Sequence, residues 1–108
     1  MTSTFRVMKF NYKVVYRTHV HSIEIESCKS ISNLITELKI KTREYINNYY
    51  DIEVVEGGNE MSPKLEPSEM TLEEKYGNRY NFISFYIRPV VRGRFIMSDD
   101  YSIFPYQH

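Results

Sequence analysis

Two histidines one residue apart, His19 and His21, are the first side chains in this sequence whose types and spacing could support chemistry. On a β-strand both would point to the same side, where their imidazole nitrogens could bind a metal ion. A structural zinc site needs four ligands, and only Cys28 and His108 remain to complete one. Polar residues at a hairpin turn are therefore the preferred interpretation, and we expect no metal and no cofactor.

The other potentially reactive residues also favour a protein that is not an enzyme. Cys28 would be a nucleophile only beside an activating histidine, and its position before a helix is typical of a partly buried small residue. Adjacent carboxylates such as Glu73–Glu74 and Asp99–Asp100 usually face solvent, and nothing near them suggests a raised pKa. Gly57–Gly58 lacks the Gly-x-x-x-x-Gly-Lys spacing of a phosphate-binding loop.

Aromatic and arginine side chains are the candidates for binding a partner. Tyrosine combines an apolar ring with a polar tip, which suits interfaces, and the chain has 10 tyrosines. The predicted partner-binding residues are Tyr49, Tyr50, Arg92, Arg94, Phe95, Tyr101, Phe104 and Tyr106. Arg88 and the two later arginines could form a small RNA-binding patch with Phe95. Because 14 basic residues balance 14 acidic ones, nucleic-acid binding is not expected, and protein binding or self-association is.

A single amphipathic helix over residues 30–50 is the element around which the chain is organised. Apolar and aromatic residues recur there at spacings of three and four, so they share one face: Ile31, Leu34, Ile35, Leu38, Tyr45, Ile46 and Tyr49. The Ser30 hydroxyl can accept a hydrogen bond from the first turn and so act as N-cap. A helix with one apolar face needs a sheet to bury it, which predicts an α+β domain.

Alternating sequences on both sides of this helix predict the strands of that sheet. Residues 5–17 and 21–26 alternate apolar and polar side chains and are close enough to form a β-hairpin. Its lysines and glutamates could pair across the exposed face. Residues 51–56 predict a third strand, Thr71–Gly77 a capped helical turn, and 81–88 an apolar, central last strand. Pro89 lacks an amide hydrogen and is expected to end regular pairing.

The totals indicate one domain in a reducing compartment. A chain of 108 residues with 42% hydrophobic residues suits one core. One cysteine argues against a disulfide-stapled secreted protein, and no apolar run reaches the length of a membrane span. We predict a cytoplasmic protein with a domain over residues 5–90 and an apolar tail over 91–108. The tyrosine-, isoleucine- and asparagine-rich composition is also typical of large viruses, so a virion location is the alternative.

The order of these elements resembles the ubiquitin-like β-grasp family over residues 5–90. The similar segments are the entry to the helix at residues 26–34, the turn Thr71-Leu72-Glu73-Glu74-Lys75-Tyr76, and the last strand at 82–88, which ends in arginine. The resemblance implies a mixed four- to five-stranded sheet packed on one long helix. Conjugated members of the family end in Gly-Gly, whereas here one glycine, Gly93, is followed by more chain, so conjugation is not expected. Another α+β arrangement of four strands and one helix is the alternative fold.

Two functional hypotheses follow. In the first, the chain is a non-catalytic ubiquitin-like module that binds proteins through a surface or sheet edge offered by its first, third and last strands. In the second, it is a structural component of a larger assembly, such as a viral particle, and its C-terminal tail contacts neighbours. A small metal protein or enzyme using His19, His21 and Cys28 is the third and least favoured hypothesis.

Overall fold

The structure is a computed structural model that describes residues 6–57, 59–91 and 94–95, the last two as backbone only. It is an α+β structure whose strands and helices are β1 (Val7–Val14), β2 (Val20–Glu26), α1 (Ile31–Thr42), β3 (Asp51–Glu56), α2 (Leu72–Tyr76), β4 (Ser84–Val91) and β5 (Arg94–Phe95). Two short 3-10 helices, Arg43–Tyr45 and Gly77–Phe82, follow α1 and α2. Among these residues no helix has the length and apolar character needed to span a membrane.

The strands form a mixed sheet in the order β2-β1-β4-β3. The outer pairs β1–β2 and β3–β4 are antiparallel, and the central pair β1–β4 is parallel. The two-residue β5 pairs antiparallel with the end of β4 at Val90 and Val91. The predicted hairpin, the third strand and the central position of the last strand are confirmed. The hairpin register places Lys9 opposite Glu24 on the exposed face.

One face of the sheet is buried against α1 and α2. Strand β1 alternates as predicted, with Met8, Phe10, Tyr12 and Val14 buried. Its buried residues pack with side chains from every other long element: Ile23, Ile25, Ile31, Leu34, Ile35, Leu38, Ile52, Val54, Leu72, Tyr76, Phe85 and Ile87. Because apolar burial is the main favourable term in folding, this single core holds the hairpin, the helices and β4 in fixed relative positions.

Helix α1 begins where the sequence predicts but ends earlier. The Ser30 hydroxyl accepts the Asn33 backbone N–H at 3.1 Å, and the Asn33 side chain accepts the Ser30 N–H in return. The prediction of one long helix over residues 30–50 was wrong, because the α-helix ends at Thr42. The Arg43 guanidinium donates to the Asn47 and Tyr50 carbonyls at 3.2 and 2.8 Å, which draws the chain into a turn toward β3.

Pro89 does not end the last strand, contrary to the sequence prediction. Strand β4 continues to Val91, and Pro89 lies opposite Ile52 of β3. The Ile87 carbonyl accepts the Val15 N–H on the β1 side, so the Pro89 nitrogen, two residues later, also faces that side. Strand β1 has ended at Val14 there. The missing amide hydrogen therefore costs no bond to a neighbouring strand.

Candidate functional site

The two histidines of the hairpin lie in an aromatic cluster beside the C-terminal end of α1. The His21 ring stacks on Tyr12 with centroids 5.3 Å apart, and its centroid lies 5.2 Å from Tyr45 and 4.5 Å from His19. The Arg17 guanidinium lies over the Tyr45 ring at 5.0 Å. In the described part of the chain, no three His, Cys, Asp or Glu side chains are grouped so that they could hold a metal ion. Ring packing accounts for the positions of both histidines.

This environment disfavours protonation of His21. Burial lowers the pKa of His21 below its ordinary value of 6.5, the positive charges of His19 and Arg17 lower it further, and the Glu44 carboxylate partly offsets them. The unfolded chain therefore binds a proton at a higher pH than the folded protein does. It follows that the contribution of His21 to stability is complete above pH 6.5 and declines as the pH falls below that value.

We expect His21→Phe, which keeps a ring against Tyr12 and Tyr45, to make stability less sensitive to acid. Between about pH 7.5 and about pH 5, the unfolding temperature of the wild type should fall more than that of the variant. His19→Gln should have an intermediate effect, because it removes one positive charge that faces His21. Thermal unfolding followed by circular dichroism measures this, and parallel curves for wild type and His21→Phe would contradict it.

The other residues considered for chemistry have structural roles or stand alone. Cys28 is exposed, so the prediction that it is partly buried was wrong. Glu74 closes the cap of α2: its backbone N–H donates to the Thr71 hydroxyl at 3.1 Å, and its carboxylate accepts the Thr71 N–H at 2.9 Å. The Glu73 carboxylate pairs with Arg6 at 3.3 Å. Gly57 has a φ of 54°, which suits glycine in the turn after β3.

The predicted partner-binding residues are only partly placed by the structure. Tyr49 is 78% exposed, whereas Tyr50 is half-buried and packs against the core. Their rings meet edge to face with centroids 5.1 Å apart. Arg94 and Phe95 form β5, and nothing is described of their side chains. Four further residues lie outside the described residues: Arg92, Tyr101, Phe104 and Tyr106.

Strand β2 is an open edge of the sheet. Ser27, directly after β2, donates its backbone N–H to the Arg6 carbonyl at 2.7 Å, so odd-numbered residues of β2 direct their backbone groups toward β1. The backbone groups of the even-numbered residues point away from the sheet: Val20, Ser22, Glu24 and Glu26. Within the described ranges no strand pairs with this side of β2.

The opposite edge of the sheet, formed by β3, is partly covered. The Leu65 N–H donates to the Val54 carbonyl at 2.7 Å, and Lys64 forms a bridge with Val55. The Arg88 guanidinium, on the sheet face that does not contact α1, holds the same loop by donating to the Glu60 and Ser62 carbonyls at 2.9 and 2.7 Å. This loop, residues 59–65, therefore occupies pairing positions that a partner would need.

A groove of about 360 Å³ lies between β2 and α1. Ile23 and Ile25 contribute to its lining, together with charged and polar side chains from the strand, the connection and the helix: Glu24, Glu26, Lys29, Asn33, Glu37 and Lys41. Two residues of β2 thus line the groove while also belonging to the core. A strand added beside β2 would place every second side chain over this groove.

Comparisons with protein-family models, with curated proteins and with solved structures give no match for this chain. The candidate site consequently depends on geometry alone: an open strand edge with a groove beside it.

The sequence interpretation missed this edge. It assigned the partner surface to the first, third and last strands, but β1 and β4 are the two central strands, so neither can offer an edge. The signal that could have been used was the regular exposure of polar residues in β2, where Ser22, Glu24 and Glu26 alternate with buried isoleucines. That alternation predicts a solvent-facing side but not which neighbour the strand lacks.

Proposed function

We propose that this chain is a non-catalytic β-grasp module that binds proteins through the open edge of β2. The element order and the parallel pairing of the first strand with the last long strand support the β-grasp assignment. So does the position of α1 between the hairpin and β3, with its apolar face against the sheet. The resemblance noted in the sequence has the same order of elements.

The asymmetry of the two edges is the observation that carries the binding proposal. A strand edge presents unpaired N–H and C=O groups, to which an extended segment can add by backbone hydrogen bonds. Loop 59–65 covers part of β3. In β2, by contrast, Val20, Ser22 and Glu24 keep both backbone groups available among the described residues, and Glu26 keeps its N–H, because its carbonyl accepts the Lys29 N–H at 3.0 Å. The edge of β2 is therefore the favoured place for strand addition.

The groove beside β2 gives this edge a means of selecting its partner. In strand addition, backbone bonds provide affinity and pockets for alternate side chains provide specificity. Lys29 and Lys41 stand near Glu26 and Glu37 along the groove. Apolar side chains and both signs of charge are present, so the groove can accept apolar as well as polar side chains from a strand added beside β2.

We expect Glu24→Pro to abolish edge binding without unfolding the domain. The Glu24 N–H points away from β1, so proline removes an outward donor and no bond within the sheet. Affinity capture from an extract of the source cells, quantified by mass spectrometry, should retain specific proteins at least about tenfold better on wild type than on Glu24→Pro.

Glu24→Gln is the matched control, because it removes the charge and keeps the donor. Its capture should resemble that of the wild type. Equal capture by all three proteins, with folding verified by circular dichroism, would refute the proposal that the β2 edge binds partners.

The assembly hypothesis, with its virion location, stays a prediction. It assigns the contacts to the C-terminal tail, whose side chains lie outside the described residues. The pairing of β5 with the end of β4 is the part of this region that the structure describes.

A further inference from the structure

We propose that the segment that occupies the β2 edge is β2 of a second copy of this chain, paired antiparallel about a two-fold axis at Ile23. This inference rests on the proposed function and names its partner. Strand β2 runs from Val20 to Glu26, so Ile23 is its midpoint, and this register pairs the whole strand. The outward-facing residues then form about six backbone hydrogen bonds between the copies. Each of the two Ser22–Glu24 pairs contributes two, and each of the two Val20–Glu26 pairs contributes one, because the Glu26 carbonyl already accepts the Lys29 N–H at 3.0 Å.

The side chains match in this register. Ser22 lies opposite Glu24 of the partner subunit, and Val20 lies opposite Glu26 of the partner subunit. No carboxylate directly faces another one, although two of the four outward-facing residues are glutamates. Within each copy Lys9 stands opposite Glu24, so a lysine accompanies each glutamate near the axis. A polar or apolar residue facing each carboxylate avoids the repulsion that directly opposed like charges cause.

Neighbouring registers fit less well. Moving the axis to Glu24 places two glutamates directly opposite each other, which is destabilising. Moving it to Ser22 leaves Glu26 of both copies without a partner strand. A register shifted by one residue would place the outward-facing backbone groups of one copy opposite residues of the other copy whose backbone groups face β1. No ladder of hydrogen bonds could then form between the strands. Geometry and charge thus select one register, and that register is symmetric, as a closed dimer requires.

The composition of β2 also fits self-pairing. Monomeric proteins protect their edge strands with charged side chains, especially lysine, with proline, with bulges or with covering loops. Strand β2 contains neither lysine nor proline, and its pairing with β1 continues without a bulge from Val20 to Glu26. Its charged residues, Glu24 and Glu26, each face an uncharged residue in the proposed register. The β3 edge, by contrast, has the covering loop 59–65. The zero formal net charge means that two copies approach without long-range repulsion.

Two variants that place charges of opposite sign at Ser22 test the register, and each is measured on the purified chain. Ser22→Glu would face Glu24 of the partner subunit twice, once for each half of the dimer, and should weaken dimerisation about threefold to tenfold. Ser22→Lys would face the same carboxylate and should strengthen dimerisation by a similar factor. Ser22 lies opposite the neutral Asn11 within its own copy, so neither change should greatly alter the monomer.

Sedimentation equilibrium up to about 1 mM protein measures the Kd of each variant, a range that covers weak association. Amide hydrogen exchange locates the contact: protection of the Val20, Ser22, Glu24 and Glu26 amides should rise with protein concentration. A wild type that stays monomeric would overturn the proposal, as would equal effects of both charges. Protection that does not change with concentration would also overturn it, because it would mean that the chain covers its own edge.

These outcomes are separable from those of the proposed function. If the wild type is monomeric and its capture of other proteins still depends on the Glu24 N–H, the dimer is refuted and the proposed binding module is not. If the protein dimerises and responds as expected to charge at Ser22, while wild type and Glu24→Pro capture other proteins equally, self-pairing is supported. Recognition of other proteins at this edge is then refuted.

Discussion

Replacing Arg88 with methionine should destabilise the protein by about 3–5 kcal/mol, the cost of leaving one member of a buried ion pair alone. The Arg88 Nη2 and Nε atoms donate to the Glu53 carboxylate at 2.9 and 3.1 Å. The side chains of Arg88 and Glu53 are only 11% and 14% exposed. The substitution leaves a carboxylate with little water around it and takes the guanidinium donor from two carbonyls of loop 59–65. Urea unfolding measures the free-energy change.

Two variants show whether this loss comes from the buried pair. Lys9→Met removes an exposed positive charge opposite Glu24 and should change the free energy of unfolding by less than about 0.5 kcal/mol. The double variant Glu53→Met with Arg88→Met should recover part of the loss, because apolar side chains can replace a buried pair at little cost. A loss below about 1 kcal/mol in Arg88→Met would contradict a buried pair of this importance.

Loss of Arg88 should also expose the second edge of the sheet. Without the guanidinium, loop 59–65 keeps the Leu65 bond to Val54 and the bridge between Lys64 and Val55. Both are local to β3, so the loop should open more often, and exchange of the Leu65 amide should accelerate. An edge released in this way can pair with other chains. Association of Arg88→Met should then depend on protein concentration. If the added substitution Ser22→Glu does not weaken this association, the pairing occurs at β3.

Much of the fold follows from local sequence patterns. The period of two in β1 and β2, the hydroxyl caps at Ser30 and Thr71, and the apolar character of β4 each specify their element without distant information. The end of α1 could not be predicted in this way. The stripe continues at Tyr45, Ile46 and Tyr49, and only the bonds from Arg43 to later carbonyls show that the chain turns.

The candidate site depends on strand order, which no local pattern contains. Pro89 illustrates the difficulty: its missing N–H matters only if a neighbouring strand lies on that side, and β1 ends before reaching it. The same reasoning governs β2. Its sequence indicates one buried and one exposed face. Its edge is open because β1 pairs with β4 on its other side, which leaves β2 with one neighbouring strand. Tyr49 belongs to the predicted apolar face of the helix, yet it is exposed, because the α-helix ends at Thr42 and does not reach it.

Replacing Tyr76 with alanine should have a second large effect, a loss of about 3–5 kcal/mol in the free energy of unfolding. Tyr76 is 2% exposed, and its ring meets Phe10 and Phe85 edge to face with centroids 5.4 and 6.2 Å apart. Alanine would leave a cavity where α2 joins the sheet. Tyr76→Phe keeps the ring and removes only the hydroxyl bond to the Glu56 carboxylate at 3.1 Å, so it should cost about 1 kcal/mol.

The Tyr76 hydroxyl should also make the protein sensitive to alkali. Burial, followed by the Glu56 carboxylate, raises the pKa of Tyr76 well above its ordinary value of 10.0, so the folded state keeps the proton. The unfolded chain releases it above pH 10, and stability then falls by up to about 1.4 kcal/mol per pH unit. Tyr76→Phe should therefore lose less stability than the wild type between about pH 9 and about pH 11. Burial also raises the pKa of Tyr12, but that residue contributes equally to both proteins, so their difference isolates Tyr76. If the urea unfolding curves of the wild type and Tyr76→Phe shift by the same amount over this range, the phenol ionises without opening the core.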